Sequence, residues 1–298
     1  MPLPPGATIA GFRVLRLLGE GGMGAVYLVQ HPDLPRKDVL KVLHGGMAHQ
    51  PALRERFEHE ARLAAGLNHP NIVQVFDRGL TDDQLWIRMQ YVEGTDAQEA
   101  LAAGPMDPRR VLHIIRSVGS ALDYAHRAGL LHRDVKPANI LLAAAGHADD
   151  AEHVMLTDFG IAKAMDTDVR LTGTGQAFLT PAYSAPERFG TAPIDSRVDV
   201  YSLGCVAFEL LTGQLPYPHA DFLVLMAAHD REAVPDVRAL RPELPPGVTR
   251  VLRTAMAKDR EERYPSCRAF AEALESALRR RDLPPVPVSY THLTLPTN

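Results

Sequence analysis

Several things are scarce in this chain. Cysteine is nearly absent: only Cys205 and Cys267 occur among 298 residues. Two thiols exclude a disulfide framework and read as small buried hydrophobes in a reducing compartment. A basic excess is missing too. The net charge is −4 and the pI near 6.3, so nothing global points to nucleic acid or to an anionic membrane, both of which favour clustered Lys and Arg. There is no long apolar run. The most apolar stretch, Leu203–Leu211, is short and carries Glu209, whereas a spanning helix needs about 20 apolar residues. The opening residues, MPLPPGAT, lack the charged and apolar regions of a signal peptide. A cytoplasmic location is the expectation. Residues 12–277 contain neither internal repeats nor a low-complexity tract.

What is present is an ordinary globular composition, 46% apolar and 23% charged, long enough for one large domain or two lobes around a cleft. Residues 12–44 read as strands: Phe12–Leu18, Ala25–Val29 and Val39–Leu43, the last two joined by a hairpin loop, HPDLPRKD. Pro51–Leu67 has helical spacing of Leu53, Phe57, Leu63 and Leu67. Short strands are expected around Ile72–Val75 and Leu85–Met89. Beyond Asp96 the pattern turns helical, most clearly over Pro108–Arg127, where Asp107 is the expected N-cap before Pro108. Helical runs are also expected within 182–213 and 248–281. The change near Gly94 predicts two lobes joined by a hinge, where ligand sites are common.

Four motifs carry chemistry. Gly19, Gly21 and Gly24 stand in a GEGGMGAV run. Such glycines let the backbone approach phosphate oxygens and offer N–H donors. A Rossmann fingerprint would need a helix to open there, and a β-rich run follows instead. Lys41 is an ammonium inside an apolar strand, suited to hold phosphates if an acid steadies it; Glu60 on the next helix is the expected partner, with Glu55 and Glu58 as rivals on a solvated face. The loop His132-Arg133-Asp134-Val135-Lys136-Pro137-Ala138-Asn139 gathers an acid, two cations and an amide, and Pro137 keeps it from becoming helix. Asp134 can accept a hydroxyl proton, Lys136 can supply positive charge, and Asn139 can ligate a hard cation. Asp158-Phe159-Gly160 follows a strand-like run and adds a carboxylate across a hairpin from Asn139.

These motifs, with Ala185-Pro186-Glu187, stand in the order and spacing of the protein kinase superfamily, and the wording of LGEGGMGAVYLV and LNHPNIV resembles the bacterial eukaryotic-type Ser/Thr kinases. The resemblance covers about residues 12–275. It implies an α+β bilobal fold: a small β-rich N-lobe with one long helix (about 12–89), a hinge at 90–94 and a larger α-rich C-lobe (95–278). It implies Asp134 as catalytic base, Lys136 as a γ-phosphate contact, Asn139 and Asp158 as Mg2+ ligands, with Mn2+ an alternative, and a Lys41–Glu60 pair. ATP would lie against Leu18, Gly19, Gly21, Gly24, Val26, Lys41, Met89 as gatekeeper, Gln90, Val92 and Leu141. Asp96 is a candidate for the ribose hydroxyls or a helix N-cap. Thr180 would contact the catalytic loop, Glu187 would pair with Arg263, and Asp199 would anchor the catalytic loop. Thr172 and Thr174 match loop phosphorylation sites, with Arg133 ready for the phosphate.

The resemblance further implies protein substrates with serine or threonine, chosen over tyrosine mainly through Lys136 and Thr180, and an N-lobe homodimer by analogy. Leu179, Val39 and the long Ala143–His153 hairpin depart from the family's usual pattern. A pseudokinase would lack Lys41, Asp134 or Asp158, and a small-molecule phosphotransferase would lack the Ala185-Pro186-Glu187 segment. The scattered His44, His49, His59 and His69 do not form a zinc pattern. Residues 1–11 read as a Pro-rich lead and 279–287 as a basic, Pro-rich linker of the kind that leads toward a membrane segment. Residues 288–298, VSYTHLTLPTN, resemble a translated sequencing adapter and are set aside from the fold.

Overall fold

The computed structural model describes residues 2–21, 24–43, 49–143, 152–159, 181–190 and 194–279. Strands β1 (Thr8–Ile9), β2 (Phe12–Gly21), β3 (Gly24–Gln30), β4 (Lys37–Leu43), β5 (Val75–Thr81) and β6 (Gln84–Gln90) form an antiparallel sheet in the order β1-β2-β3-β4-β6-β5. Helix α1 (Pro51–Ala65) crosses between β4 and β5 and buries Phe57, Ala61 and Ala64. The period-2 alternation of β4 sorts its two faces. Leu40 and Val42 join Phe12, Val14, Tyr27, Val29 and Trp86 in one apolar cluster. Leu43, Ile87 and Met89, with Val39 packed against them, join the main core instead. Lys41, between Val39 and Leu43 in parity, therefore lies on the main-core face, directly across from Val26 and Ile87.

A second sheet, β7 (Gly94–Asp96), β8 (Ile140–Ala143) and β9 (His153–Leu156), lies at the junction. The α-helices that follow among the described residues are α2 (Ala97–Leu101), α3 (Pro108–Arg127), α4 (Arg197–Thr212), α5 (Phe222–Arg231), α6 (Pro246–Ala255) and α7 (Cys267–Arg279). The expected bilobal α+β arrangement is what forms. The α3 helix starts where the sequence placed it, with the Asp107 carboxylate accepting the Arg109 N–H at 2.8 Å. Helix α4 is buried at every residue from Val198 to Thr212, as expected of a helix apolar around its circumference. Its polar members are bonded inward: Ser202 donates to the Tyr183 carbonyl at 2.7 Å, and Tyr183 donates to Glu209 at 2.6 Å. Gly213, at φ +76°, ends α4 in the left-handed region that glycine enters without a Cβ clash.

One expected strand is displaced. Ile72 makes only an isolated bridge to Leu156, and the N–H of Val73 bonds the same residue's carbonyl at 3.0 Å. Segment 71–73 thus pairs with β9 across the lobes, and the strand proper begins at Val75. Its apolar run matched a buried strand, but periodicity says nothing about which neighbour it pairs with. Among the described residues no helix is long and apolar enough to cross a membrane. The adapter-like tail and most of the basic linker lie outside the described residues.

Candidate active site

The loop from His132 to Asn139 is built on α4. Asp199, fully buried, accepts the His132 N–H with Oδ2 at 2.9 Å and the Arg133 N–H with Oδ1 at 2.8 Å, and His126 of α3 bonds Oδ2 at 2.8 Å. Burial pushes the Asp199 carboxyl up; the His126 hydrogen bond and charge, with His132, outweigh it and hold the group below its ordinary value. Arg133 sits at φ +61°, a left-handed conformation that costs a non-glycine residue about 1 kcal/mol or more. The two hydrogen bonds to Asp199, and a third from the Arg188 guanidinium to the Arg133 carbonyl, hold it there.

The His132 ring is buried, which pushes its pKa down despite the Asp199 charge. As a neutral ring it accepts the Asp134 N–H at Nδ1 (3.2 Å) and donates from Nε2 to the Thr157 carbonyl (2.9 Å). It also packs on Phe159, with centroids 4.8 Å apart. The catalytic-loop candidate and the Asp158 segment are thereby fastened together. The β8–β9 hairpin supplies a second link: Ile140 pairs with Leu156, and the Thr157 N–H bonds the Asn139 carbonyl at 3.0 Å. Asn139, 5% exposed, donates its amide to the Asp134 carbonyl at 2.8 Å and to Asp134 Oδ2 at 3.3 Å. Lys136 Nζ lies 3.0 Å from Asp134 Oδ2. Asp134, Lys136, Asn139 and the Asp158 segment therefore form one cluster.

The expected Lys41–Glu60 pair does not form. Lys41 Nζ contacts Asp158 Oδ1 at 2.8 Å, and Glu60 Oε1 lies 3.6 Å from the Arg133 guanidinium. Glu60 Oε2 is buried without a hydrogen bond, and burial raises the Glu60 carboxyl against the opposing pull of Arg133. The physical reason is competition. Both cations can reach a carboxylate in the cleft, and Asp158, at φ +62°, turns its oxygen toward Lys41. Glu60 then takes the next cation within reach.

The remaining nucleotide candidates line the sheet above this cluster. Gly19 and Gly21 lie opposite Val26 and Gly24 in the β2–β3 ladder. At Gly24, φ is +152° and a Cβ would come within 2.0 Å of the Val42 carbonyl oxygen, so no side chain fits. Leu18 is partly exposed. Met89 is buried beside Val39, and Thr157 donates to its sulfur at 3.7 Å. Gln90 donates its N–H to the Gln74 carbonyl at 2.9 Å, and Val92 is partly buried against the main core. Leu141 pairs with Asp96 across β7–β8. The Asp96 side chain caps α2, accepting the Glu99 N–H at 2.8 Å, so the N-cap alternative is the one seen.

The Glu187–Arg263 pair forms, two-pronged at 2.6 and 2.8 Å, with the Arg263 side chain wholly buried. Thr172, Thr174, Leu179 and Thr180 lie outside the described residues, as does Gly160. Residue type and spacing did not single out His126, Arg188 or Thr157. The signal for His126 was its place in the last turn of α3, six residues before His132, from where a ring reaches the α4 carboxylate.

The family model described as Protein kinase domain matches residues 12–275. The serine/threonine-protein kinase PknJ of Mycobacterium tuberculosis is 46% identical over 93% of this chain and 47% of its own length. PknF of the same organism is 46% identical over 92% of this chain and 58% of its own length. The chain thus spans about half the length of the curated relatives it matches. The crystal structure of the Mycobacterium tuberculosis PknI kinase domain superposes with a TM-score of 0.75 at 39% identity, covering 93% of this chain and 100% of that one.

Proposed function

This chain belongs to the protein kinase domain family, and on that premise we propose that it transfers the γ-phosphate of ATP to serine or threonine hydroxyls of proteins. The observation that carries the reading is the cluster itself: one acid with a lysine and an amide each within hydrogen-bonding distance of it, fastened to the Asp158 segment.

In this reading the acceptor Oγ attacks the γ-phosphorus while the bond from that phosphorus to the β,γ-bridging oxygen breaks. The hydroxyl proton passes to Asp134, and the bridging electrons leave with ADP. Lys136 screens Asp134 at rest and offers its charge to the phosphoryl oxygens during transfer. Asn139 holds Asp134 in orientation through its amide N–H groups. Its oxygen and the Asp158 carboxylate are hard donors of the kind Mg2+ prefers, and they would hold that ion. When bound, Mg2+ would neutralise phosphate charge. Displacement of Lys41 from Asp158 Oδ1 would free the ammonium for the phosphates and for Glu60. Arg133 is then released from Glu60 and available to an activation-loop phosphate on Thr172 or Thr174.

The substrate partner is a protein segment presenting serine or threonine. An N-lobe homodimer and membrane attachment through a region beyond residue 287 belong to the same proposal by analogy. The test is Mg2+-dependent autophosphorylation mapped by mass spectrometry. Phosphate is expected on Thr172 or Thr174 and is expected to vanish in Lys41→Met. ATP binding without any transfer, to itself or to a generic basic substrate, would refute the activity.

A further inference from the structure

The C-lobe carries a small pocket that the proposed reaction does not use. It is lined by Asp236, Arg238, Pro246, Thr249, Arg250 and Arg253, with a volume of about 230 Å³. These residues come from α6 and the turn before it, not from the elements that carry Lys41, Asp134 or Asp158.

The charge arrangement is unusual for this molecule. Its other C-lobe arginines are commonly paired with acids: Arg110 with Glu152, Arg116 with Glu275, Arg197 with Asp195 and Glu261, Arg268 with Glu272. Among the described residues, no carboxylate forms an ion pair with Arg238, Arg250 or Arg253. Arg250 and Arg253 stand at i and i+3 of α6, neighbouring like charges that disfavour a helix. Arg238 adds a third guanidinium from the facing turn. The lone acid, Asp236, is occupied as a cap: Oδ1 accepts the Thr249 hydroxyl at 2.5 Å and the Arg238 N–H at 2.9 Å. Those hydrogen bonds, with the Arg253 and Arg238 charges, hold its carboxyl below the ordinary value.

Three guanidiniums against one carboxylate leave two uncompensated positive charges around a concavity. A dianion with several acceptor oxygens matches that field, and forked guanidinium donors match a tetrahedral phosphate best. The volume is below the roughly 300–1,000 Å³ of sites for drug-sized ligands, so a whole nucleotide does not fit. A single phosphorylated side chain does. We propose that this pocket is a docking site for a phosphoserine or phosphothreonine side chain of another protein segment. It rests on the kinase reading only for the source of that group, which is the chemical class of the product.

The test is fluorescence-polarisation binding of a phosphothreonine peptide and its unphosphorylated twin to the full chain. A non-hydrolysable ATP analogue, in excess, keeps the cleft filled. The wild type is expected to bind the phosphopeptide at least about tenfold more tightly than the twin, a difference of about 1.4 kcal/mol. The Arg250→Ala/Arg253→Ala double variant is expected to lose that preference while keeping its thermal midpoint, since both side chains are exposed, neither is ion-paired, and the one hydrogen bond lost is the long contact of Arg253 Nε with the Val234 carbonyl at 3.4 Å. Arg250→Lys/Arg253→Lys is expected to fall between. Equal binding of the twin, or an unchanged double variant, overturns the proposal. So does inorganic phosphate that competes at the concentration at which the phosphopeptide does, because the occupant would then be the free anion. The readout needs no turnover. A chain that binds the phosphopeptide through these arginines yet transfers no phosphate would overturn the kinase reading and leave the pocket standing.

Discussion

Glu187→Ala tests how the end of the 181–190 segment is held. Arg263 has no exposed side-chain surface and Glu187 only 8%, so water cannot replace the missing carboxylate without opening the structure. The guanidinium would keep its bonds to the carbonyls of Ala257 (2.8 Å), Arg197 (3.1 Å) and Lys258 (3.3 Å), and the Tyr201 ring 4.9 Å away. Those carbonyls occupy three of its five N–H donors and carry no net charge. Removing one partner of a buried ion pair costs about 3–5 kcal/mol, and the surviving dipoles place this case near the lower end, ~3 kcal/mol. Glu187→Gln keeps the shape and one acceptor and is expected to cost about half as much. Glu187→Met/Arg263→Met removes both charges and should recover most of the loss. Urea unfolding followed by circular dichroism gives the comparison, read as a change in midpoint at constant slope. A Glu187→Ala penalty below about 1 kcal/mol, the scale of a solvated pair, would refute the reasoning.

Glu60→Gln separates stability from activity. Its contact with Arg133 is loose at 3.6 Å and one oxygen is unbonded, so the unfolding free energy should change by less than about 1 kcal/mol. Phosphotransfer should fall by about tenfold or more if Glu60 must steady Lys41 during turnover; equal rates would remove that role. His229 gives a pH signature. Burial, aided by the Lys258 charge, pushes it from 6.5 down to about 4. The unfolded chain therefore takes up a proton near pH 6.5 while the folded chain resists until about 4. Stability should fall as pH drops through that window, by a total on the order of 3 kcal/mol. His229→Gln should flatten the acid limb of unfolding midpoints measured between pH 7 and pH 4; an unchanged limb would exclude His229 as its source.

The parts of the fold that local chemistry dictates were readable in the residues. Asp107 and Pro108 marked the start of α3 because a capping acid followed by proline has few other uses. Lys41 was legible as a cation inside an apolar strand, and the helical pattern within 182–213 holds the buried α4. Partnership was harder to read where several charges share a cleft. Lys41, Arg133, Glu60 and Asp158 allow two pairings of similar chemistry, and backbone placement chooses between them, as the left-handed turn at Asp158 does here. The segment around Ile72 had strand-like residues, but its pairing across the lobes depends on β9, more than 80 residues away. His126 showed only its place in the last turn of α3, since its partner Asp199 comes from another helix.

The central claim is that Asp134 takes the proton from the acceptor hydroxyl. The most direct measurement is the rate of phosphate transfer from radiolabelled ATP to a threonine peptide by wild type and Asp134→Asn, with nucleotide affinity determined in parallel. Nucleotide binding should be unchanged in Asp134→Asn and the rate lowered by about 10²–10⁴-fold. Equal rates in the two proteins would contradict that role for Asp134.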